Sequence, residues 1–483
     1  MQESSTQKNF KQSFSLLDAT MIVAGSMIGS GIFIVSADMT RTVGSAGWLI
    51  LLWILTGVLT LIAALSYGEL SAMFPKAGGQ YVYLKEAYNP LTGFLYGWSF
   101  FAVIQTGTIA AVGVAFSKFA SYIFPSLGES NILADLGFIK ISAAQVTSII
   151  LIVFLTAVNT MGVKEGKLIQ TFFTLVKLVA LFGLIIFGFM AASKTTWDAN
   201  WATGFSFGKM NGDMLVPYVG FAGIGAASGA MVGSLFSSDS WNNVTFIANE
   251  IKNPKRNIGL ALFLGTFIVT LIYTATNLMY LGVMPLHGIA HAENDRVGVD
   301  AAKLIFGDVG TNIIAIMLMV STFGCNNGLI LSGARVYYTM AKDGLFFQQV
   351  GKLNKNAVPA RGLWIQCLWA SVLCLSGRYG DLLNYIIFTV LIFYVLTIIG
   401  IFILRRKRPD IPRSYKAFGY PVLPLLYVIA ATIICISLLI YIPDYTWPGL
   451  CIVLLGIPIY YFVWRHKHVI EEVPGDGETY MKE

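Results

Sequence analysis

A chain of 483 residues with 56% hydrophobic and only 12% charged side chains, and a mean hydropathy of +0.70, excludes an ordinary soluble domain, where about a quarter of residues carry charge. The formal net charge is +7, but the basic residues sit in loops between apolar segments and imply no nucleic-acid partner. The cysteines (Cys325, Cys367, Cys374, Cys435, Cys451) show no metal-ligand spacing and the histidines lie only in loops and the tail, so neither a disulfide framework, a metal site nor a cofactor is implied.

Twelve segments are read as membrane spans, each near the roughly 20 residues a crossing needs. A polar start without a cleavable signal pattern leads into the first, residues 16–43. Its middle reads Gly25-Ser26-Met27-Ile28-Gly29-Ser30-Gly31. Glycine costs a helix interior about 1 kcal/mol relative to alanine. A break inside a span is tolerated only where it is buried in protein or lines a cavity. Alone, the stretch fits close helix packing equally well.

The second span is 48–74, followed by a polar turn at 75–80 and a short amphipathic helix over 81–88. The third is 90–124 and the fourth 141–161. The fifth, 168–192, carries Lys177 deep in an apolar run. An intramembrane lysine points to function, because snorkelling to an interface is awkward with apolar positions on both sides. The sixth region, 214–249, is too long for one straight span and contains Phe236-Ser237-Ser238-Asp239-Ser240-Trp241-Asn242. An acid at membrane depth costs about 2.5–3.5 kcal/mol on insertion scales and must line a cavity or meet a partner. The remaining spans are 258–284, 309–340, 363–376, 382–404, 420–442 and 447–464, with a short helix near 299–306 in the loop before the eighth.

Basic residues cluster on the loops that share a side with the termini, among them Lys8, Lys11, Lys76, Lys85, Lys252, Arg256, Lys342, Arg405, Arg406, Lys407, Arg408 and Arg465. That asymmetry predicts a multi-pass protein with both termini cytoplasmic. The Arg405–Arg408 run reads as a topology signal, with an anionic-lipid patch as the alternative. Spans one and six are both interrupted and lie five spans apart, the pattern that marks a midplane binding site in secondary transporters. Half-helix N-termini offer N–H groups to an anion, and unwound carbonyls accept from a cation. A ligand with both a carboxylate and an ammonium, an amino acid, suits such a site. A membrane enzyme would need a convergent acid, base or nucleophile set, which Lys177, Asp239 and scattered hydroxyls do not supply; no enzyme is expected.

The stretch at 25–33, Tyr67-Gly68-Glu69-Leu70, Lys76-Ala77-Gly78-Gly79-Gln80-Tyr81, Lys177, Phe236 through Asn242, and Asn249-Glu250-Ile251-Lys252-Asn253-Pro254 together resemble the amino acid–polyamine–organocation superfamily. Within it they resemble the L-type amino acid transporter (light-chain) family, over nearly the full length. The resemblance implies an all-α membrane protein of twelve transmembrane helices, a LeuT-like five-plus-five inverted repeat with helices 1 and 6 broken. The implied division is a tail (1–15), a first repeat (16–192), an extracellular loop (193–213) and a second repeat (214–404). A basic cytoplasmic loop (405–419), two outlying spans (420–464) and a C-terminal tail (465–483) follow.

The resemblance also implies a substrate carboxylate held at Ser30 and Gly31, within the stretch Met27, Ile28, Gly29, Ser30, Gly31. The amine is implied to meet carbonyls near Met27, Phe236, Ser237 and Asp239. Phe236 is implied as a gate, Asn242 as support after the break, and Lys177 as the cation that stands in for sodium. Thr108, Asn326 and Val390 are expected pocket neighbours. The loop Phe124-Pro125-Ser126-Leu127-Gly128 lacks the cysteine that would bond a heavy chain, so no disulfide-linked partner is expected and a stand-alone bacterial transporter is. The reading is a sodium-independent exchanger of neutral L-amino acids in the cell membrane, working by alternating access. The alternative is a proton-coupled permease, working through Lys177 or Asp239 and accepting cationic amino acids.

Overall fold

The computed structural model describes residues 12–464 except 136–139, 213, 377 and 378. The expected cytoplasmic tail residues 1–11 and 465–483, with Lys8, Lys11 and Arg465, lie outside the described residues, as does Arg378.

Ser15 opens α1 (Leu16–Met27) with a reciprocal capping box to Asp18. The helix stops where the sequence turns to Gly-Ser-Gly. Ile28 leaves helical geometry, a single 3-10 turn spans Gly31–Phe33, and α2 (Val35–Val43) resumes until Gly44 closes it with left-handed backbone (φ 70). Ser45 caps α3 (Ala46–Met73), which leads through the glycine turn to α4 (Gln80–Ala87). This short helix buries Tyr81, Val82, Tyr83 and Leu84, so it is embedded in the bundle rather than lying on its surface. Asn89 and Pro90 start α5 (Pro90–Ser99), which runs through one π turn into α6 (Gln105–Ile123). A strand pair, β1 (Ile132–Asp135) and β2 (Lys140–Ser142), precedes α7 (Ala143–Met161) and α8 (Val163–Ala191).

After α9 (Lys194–Trp201) the structure departs from expectation. Residues 214–217 do not begin the sixth span. They form β4 (Met214–Pro217), antiparallel to β3 (Gly208–Asn211), with Asn211 paired to Met214 across a two-residue turn. A glycine at the first of the two turn positions is a hairpin signal, and Gly212 takes the left-handed backbone (φ 62) the turn needs. The span starts only at α10 (Ala222–Ser237), breaks at Ser238, and continues as the single turn α11 (Asn243–Phe246). Then come α12 (Pro254–Val283), the short α13 (Leu286–Ala290) and α14 (Val297–Lys342), the last kinked at Gly307. The described residues close with α15 (Ala360–Ser376), α16 (Tyr379–Lys407), α17 (Val422–Tyr441) and α18 (Pro443–Ile459), followed by a π turn over Tyr460–Trp464.

Among the described residues nine helices are long and apolar enough to cross a membrane, and three shorter apolar helices (Leu16–Met27, Ala222–Ser237 and Ala360–Leu375) accompany them. The chain is therefore a predominantly helical, multi-pass membrane protein. α10 packs on α2 and α11 on α1. The early half of each broken segment thus meets the late half of the other, so the two run antiparallel. α3 packs on α12, α6 on α14 and α7 on α15.

The basic run that ends α16 is partly consumed indoors. Glu69, fully buried, takes Arg405 in a bidentate pair (2.9 and 2.8 Å), has Arg413 at 3.3 Å, and accepts the Ala417 N–H at 2.7 Å. The Arg405 guanidinium also covers the Tyr420 ring at 3.6 Å. These contacts dock the 405–420 loop against α3, which takes Arg405 out of any lipid-facing patch.

Candidate functional site

The break in span one frees carbonyl groups that a continuous helix would occupy. Lys177 meets them from α8: its Nζ donates to Gly25 O at 2.5 Å and to Ile28 O at 2.6 Å. The side chain is wholly buried, and its partners among the described residues are these backbone carbonyls. An ammonium gains more from hydrogen bonds than a neutral donor does, which offsets the cost of placing it there.

The second break is tied to the first by Tyr273 of α12. Its hydroxyl lies 2.9 Å from Met27 O and 3.0 Å from Ser237 O, and its ring meets Trp53 edge-on. One hydroxyl proton serves two carbonyls, one at the end of each half-helix. Further along α12, Asn277 accepts from Ser36 (2.7 Å) and the Tyr280 hydroxyl donates to Ile32 O (3.3 Å). Residues 273, 277 and 280 form one helical stripe along the whole interruption. From α14, the Cys325 thiol reaches Ser26 O (3.1 Å) and Ser321 reaches Gly29 O (3.5 Å).

Close approach explains the glycine at 31. A Cβ there would collide with Ser237 Oγ and press on its backbone, so any larger residue would wedge the two breaks apart. Ser30 precedes the 3-10 turn and is buried. The first N–H groups of such a segment have no acceptor inside it and carry the positive end of its dipole. Met27, Ile28, Gly29, Ser30, Gly31, Phe236, Ser237 and Lys177 are all buried around these two interruptions.

The side chains of two further expected site residues reach other elements. Asp239 is buried but accepts from the Tyr394 hydroxyl of α16 at 2.5 Å. It lines a cavity between α3, α16 and α17 together with Thr60, Trp241, Val390 and Tyr427. Asn242 donates to Gln80 Oε1 at 3.1 Å, and Gln80 in turn donates to Thr397 at 3.0 Å. The pair thus ties the second break to α4 and α16. Thr108 is satisfied within its own helix, Asn326 reaches Ile109 O at 3.3 Å, and Val390 belongs to the Asp239 cavity. The α12 stripe was not singled out from the sequence, though Tyr273, Asn277 and Tyr280 at helical spacing in an apolar span were a readable signal.

Two interrupted, antiparallel half-helices, buried and clamped by an internal lysine, define a helical membrane transporter for a small polar solute. The sequence profile of an amino acid permease family matches residues 14–460, and the chain belongs to that family, a branch of the amino acid–polyamine–organocation superfamily. It is 30% identical to the serine/threonine exchanger SteT of Bacillus subtilis, over 95% of this chain and 98% of that protein. It is 28% identical to large neutral amino acids transporter small subunit 2 of Mus musculus, over 95% and 82%. The b(0,+)-type amino acid transporter 1 of Homo sapiens is 26% identical, over 95% and 89%. The chain is thus an amino acid transporter, not an enzyme.

Proposed function

We propose that the protein is a sodium-independent exchanger of neutral L-amino acids that works by alternating access in the cell membrane. The observation that carries this reading is the Lys177 ammonium between Gly25 O and Ile28 O, a fixed cation where freed carbonyls would otherwise suit a bound metal cation. The substrate carboxylate is assigned to the N–H groups of Ser30 and Gly31, and its ammonium to carbonyls of Met27, Phe236, Ser237 and Asp239, with Phe236 as the gate. Exchange as the mode draws support from the similarity to the serine/threonine exchanger of Bacillus subtilis.

The architecture proposed with it has twelve crossings: the nine long helices, α15, and the two broken segments α1–α2 and α10–α11. The antiparallel breaks and the pairs α3 with α12, α6 with α14 and α7 with α15 support a LeuT-like five-plus-five repeat over 16–192 and 214–404. The basic loops support a cytoplasmic location for both termini. The protein is proposed to act without a disulfide-linked heavy chain.

The test is flux in proteoliposomes. Uptake of labelled serine or leucine should need unlabelled amino acid inside and be unchanged when sodium is replaced by choline. Uptake into empty vesicles driven by sodium would sink the proposal.

Tyr273→Phe removes the proton shared between the two breaks. One buried hydrogen bond of about 1–1.5 kcal/mol corresponds to roughly tenfold, so KM should rise by about that factor with a smaller change in kcat. Concentration dependence of exchange measures both.

A second reading is kept for one observation. Asp239 is a buried carboxylate on a cavity wall, hydrogen-bonded by Tyr394, which suits a cationic side chain or a coupling proton. If neutral exchange is the activity, Asp239→Asn should keep serine exchange within about threefold, since asparagine keeps an oxygen that can accept from Tyr394. Selective loss of lysine uptake, or of uptake driven by an inward proton gradient, would favour the second reading instead.

A further inference from the structure

We propose that the end of α16 and the loop it feeds form a binding site for the headgroup of an anionic phospholipid, made by Arg406 and Lys416 with Phe418 beside them. The site is independent of what the protein carries.

The fold divides the basic run 405–408 among three directions. Arg405 turns inward to Glu69 and Tyr420. Arg408 reaches Glu86 at 3.5 Å and Lys407 reaches Ala87 O at 3.5 Å, both at the end of α4. Arg406 takes the remaining direction. It lies one turn after Phe402, whose ring packs on Tyr420 at 5.0 Å, so it sits on the side of α16 that faces the returning loop, and it is exposed.

The loop opposite is laid out by α3. Tyr415 lies against Gly68, where a Cβ would come within 2.9 Å of the tyrosine ring, and Glu69 holds the Ala417 N–H at 2.7 Å. Residues 415 and 417 therefore face α3, while Lys416 and Phe418 are turned out and exposed. The Glu69 cluster is itself net positive, because one carboxylate meets both Arg405 and Arg413. Arg406 and Lys416 add two further charges, and neither is ion-paired among the described residues.

Apolar surface adjoins this charge. Phe418 is 70% exposed and Val422 60%. From Val422 an exposed stripe runs along α17 through Leu425, Leu426, Ile429, Ile433 and Ile436. Its spacing of three and four marks one helix face, which on a membrane-spanning helix meets acyl chains. Cationic side chains at the end of such a stripe, with an aromatic ring at headgroup level between them, match a molecule that is apolar at one end and a phosphate at the other. Arginine takes phosphate through paired N–H groups. A zwitterionic headgroup brings its own cation to the site and an anionic one does not, so the charge selects the second. A soluble phosphate would make no use of the stripe.

The test is lipid-selective quenching. Phe418→Trp, made in the full chain, is reconstituted in phosphatidylcholine bilayers with rising fractions of phosphatidylglycerol brominated on its acyl chains. Brominated phosphatidylcholine is the comparison, and the signal of the parent, with its own tryptophans, is subtracted. Half-maximal quenching should need about twentyfold less of the anionic lipid, from about fivefold for each basic side chain. Arg406→Gln and Lys416→Gln should each cost about fivefold, and together they should abolish the preference. Lys252→Gln with Lys352→Gln, which removes two exposed charges elsewhere, should leave it intact. Glu69→Gln separates a shaped site from bare charge: it makes the region more positive but frees the loop, so the preference should fall, whereas charge alone predicts a rise. If that variant is not monodisperse in detergent, the surface variants decide. Equal quenching by both lipids, an equal loss with the control pair, or a rise with Glu69→Gln would overturn the site. Release of brominated phosphatidylglycerol by millimolar inorganic phosphate would overturn it too, by assigning the charges to a soluble anion.

Discussion

Lys177→Ala should lower exchange by at least 100-fold while the protein stays folded. The ammonium donates to Gly25 O and Ile28 O across the break of span one. Each charge-assisted hydrogen bond in such a setting is worth about 1.5–3 kcal/mol, so losing two removes several kcal/mol from the geometry of a single loop. The loss falls on the segment that presents Ser30 and Gly31, because Ile28 is the residue where α1 ends. Alanine also removes three methylenes and the ammonium from a wholly buried position. Elevated sodium should not restore flux if the carbonyl set is distorted rather than emptied. Counterflow with saturating internal serine reads the activity, and gel filtration in detergent shows whether the fold is kept. Flux within threefold of the parent would remove Lys177 from the mechanism.

The helical, multi-pass character and the two interruptions were legible because lipid imposes length and punishes broken helices. The run Gly25-Ser26-Met27-Ile28-Gly29-Ser30-Gly31 and the run Ser237-Ser238-Asp239-Ser240 do interrupt their helices, at Ile28 and Ser238. The depth of Lys177 was legible for the same reason. Side-chain direction was not. Past a break the 3.6-residue period no longer relates one residue to the next, so the sequence could not say that Asp239 turns to Tyr394 or Asn242 to Gln80. The start of the sixth span was missed because β4 is as apolar as a helix end, and only Gly212 at the turn before it marks the hairpin. Glu69 was noted only as part of a motif. Its role in holding Arg405, Arg413 and the Ala417 N–H depends on a contact between residues more than 300 positions apart, which no local pattern encodes.

Arg335→Met should be among the most destabilising single changes, by about 3–5 kcal/mol, the cost of leaving one member of a buried pair alone. Arg335 and Glu250 are both essentially inaccessible (0% and 1%) and joined at 3.0 Å, with the guanidinium also on Leu331 O. Glu250 does more than balance charge. Its carbonyl accepts from the Ser13 and Phe14 N–H groups (2.9 and 3.0 Å), and Phe14 O accepts from Lys252 N (2.9 Å), which pins the start of the described chain beneath the bundle. A bare carboxylate would draw water into this seam and loosen that anchor together with α11. If so, the double variant Arg335→Met with Glu250→Gln should recover most of the loss, because two neutral groups replace one stranded charge. The check is the temperature at which half the protein remains monodisperse in detergent, compared across parent, single and double variants. An Arg335→Met single variant as stable as the parent would mean the pair is not what closes this side. A double variant no better than the single would assign the loss to packing of the long side chain instead of to charge.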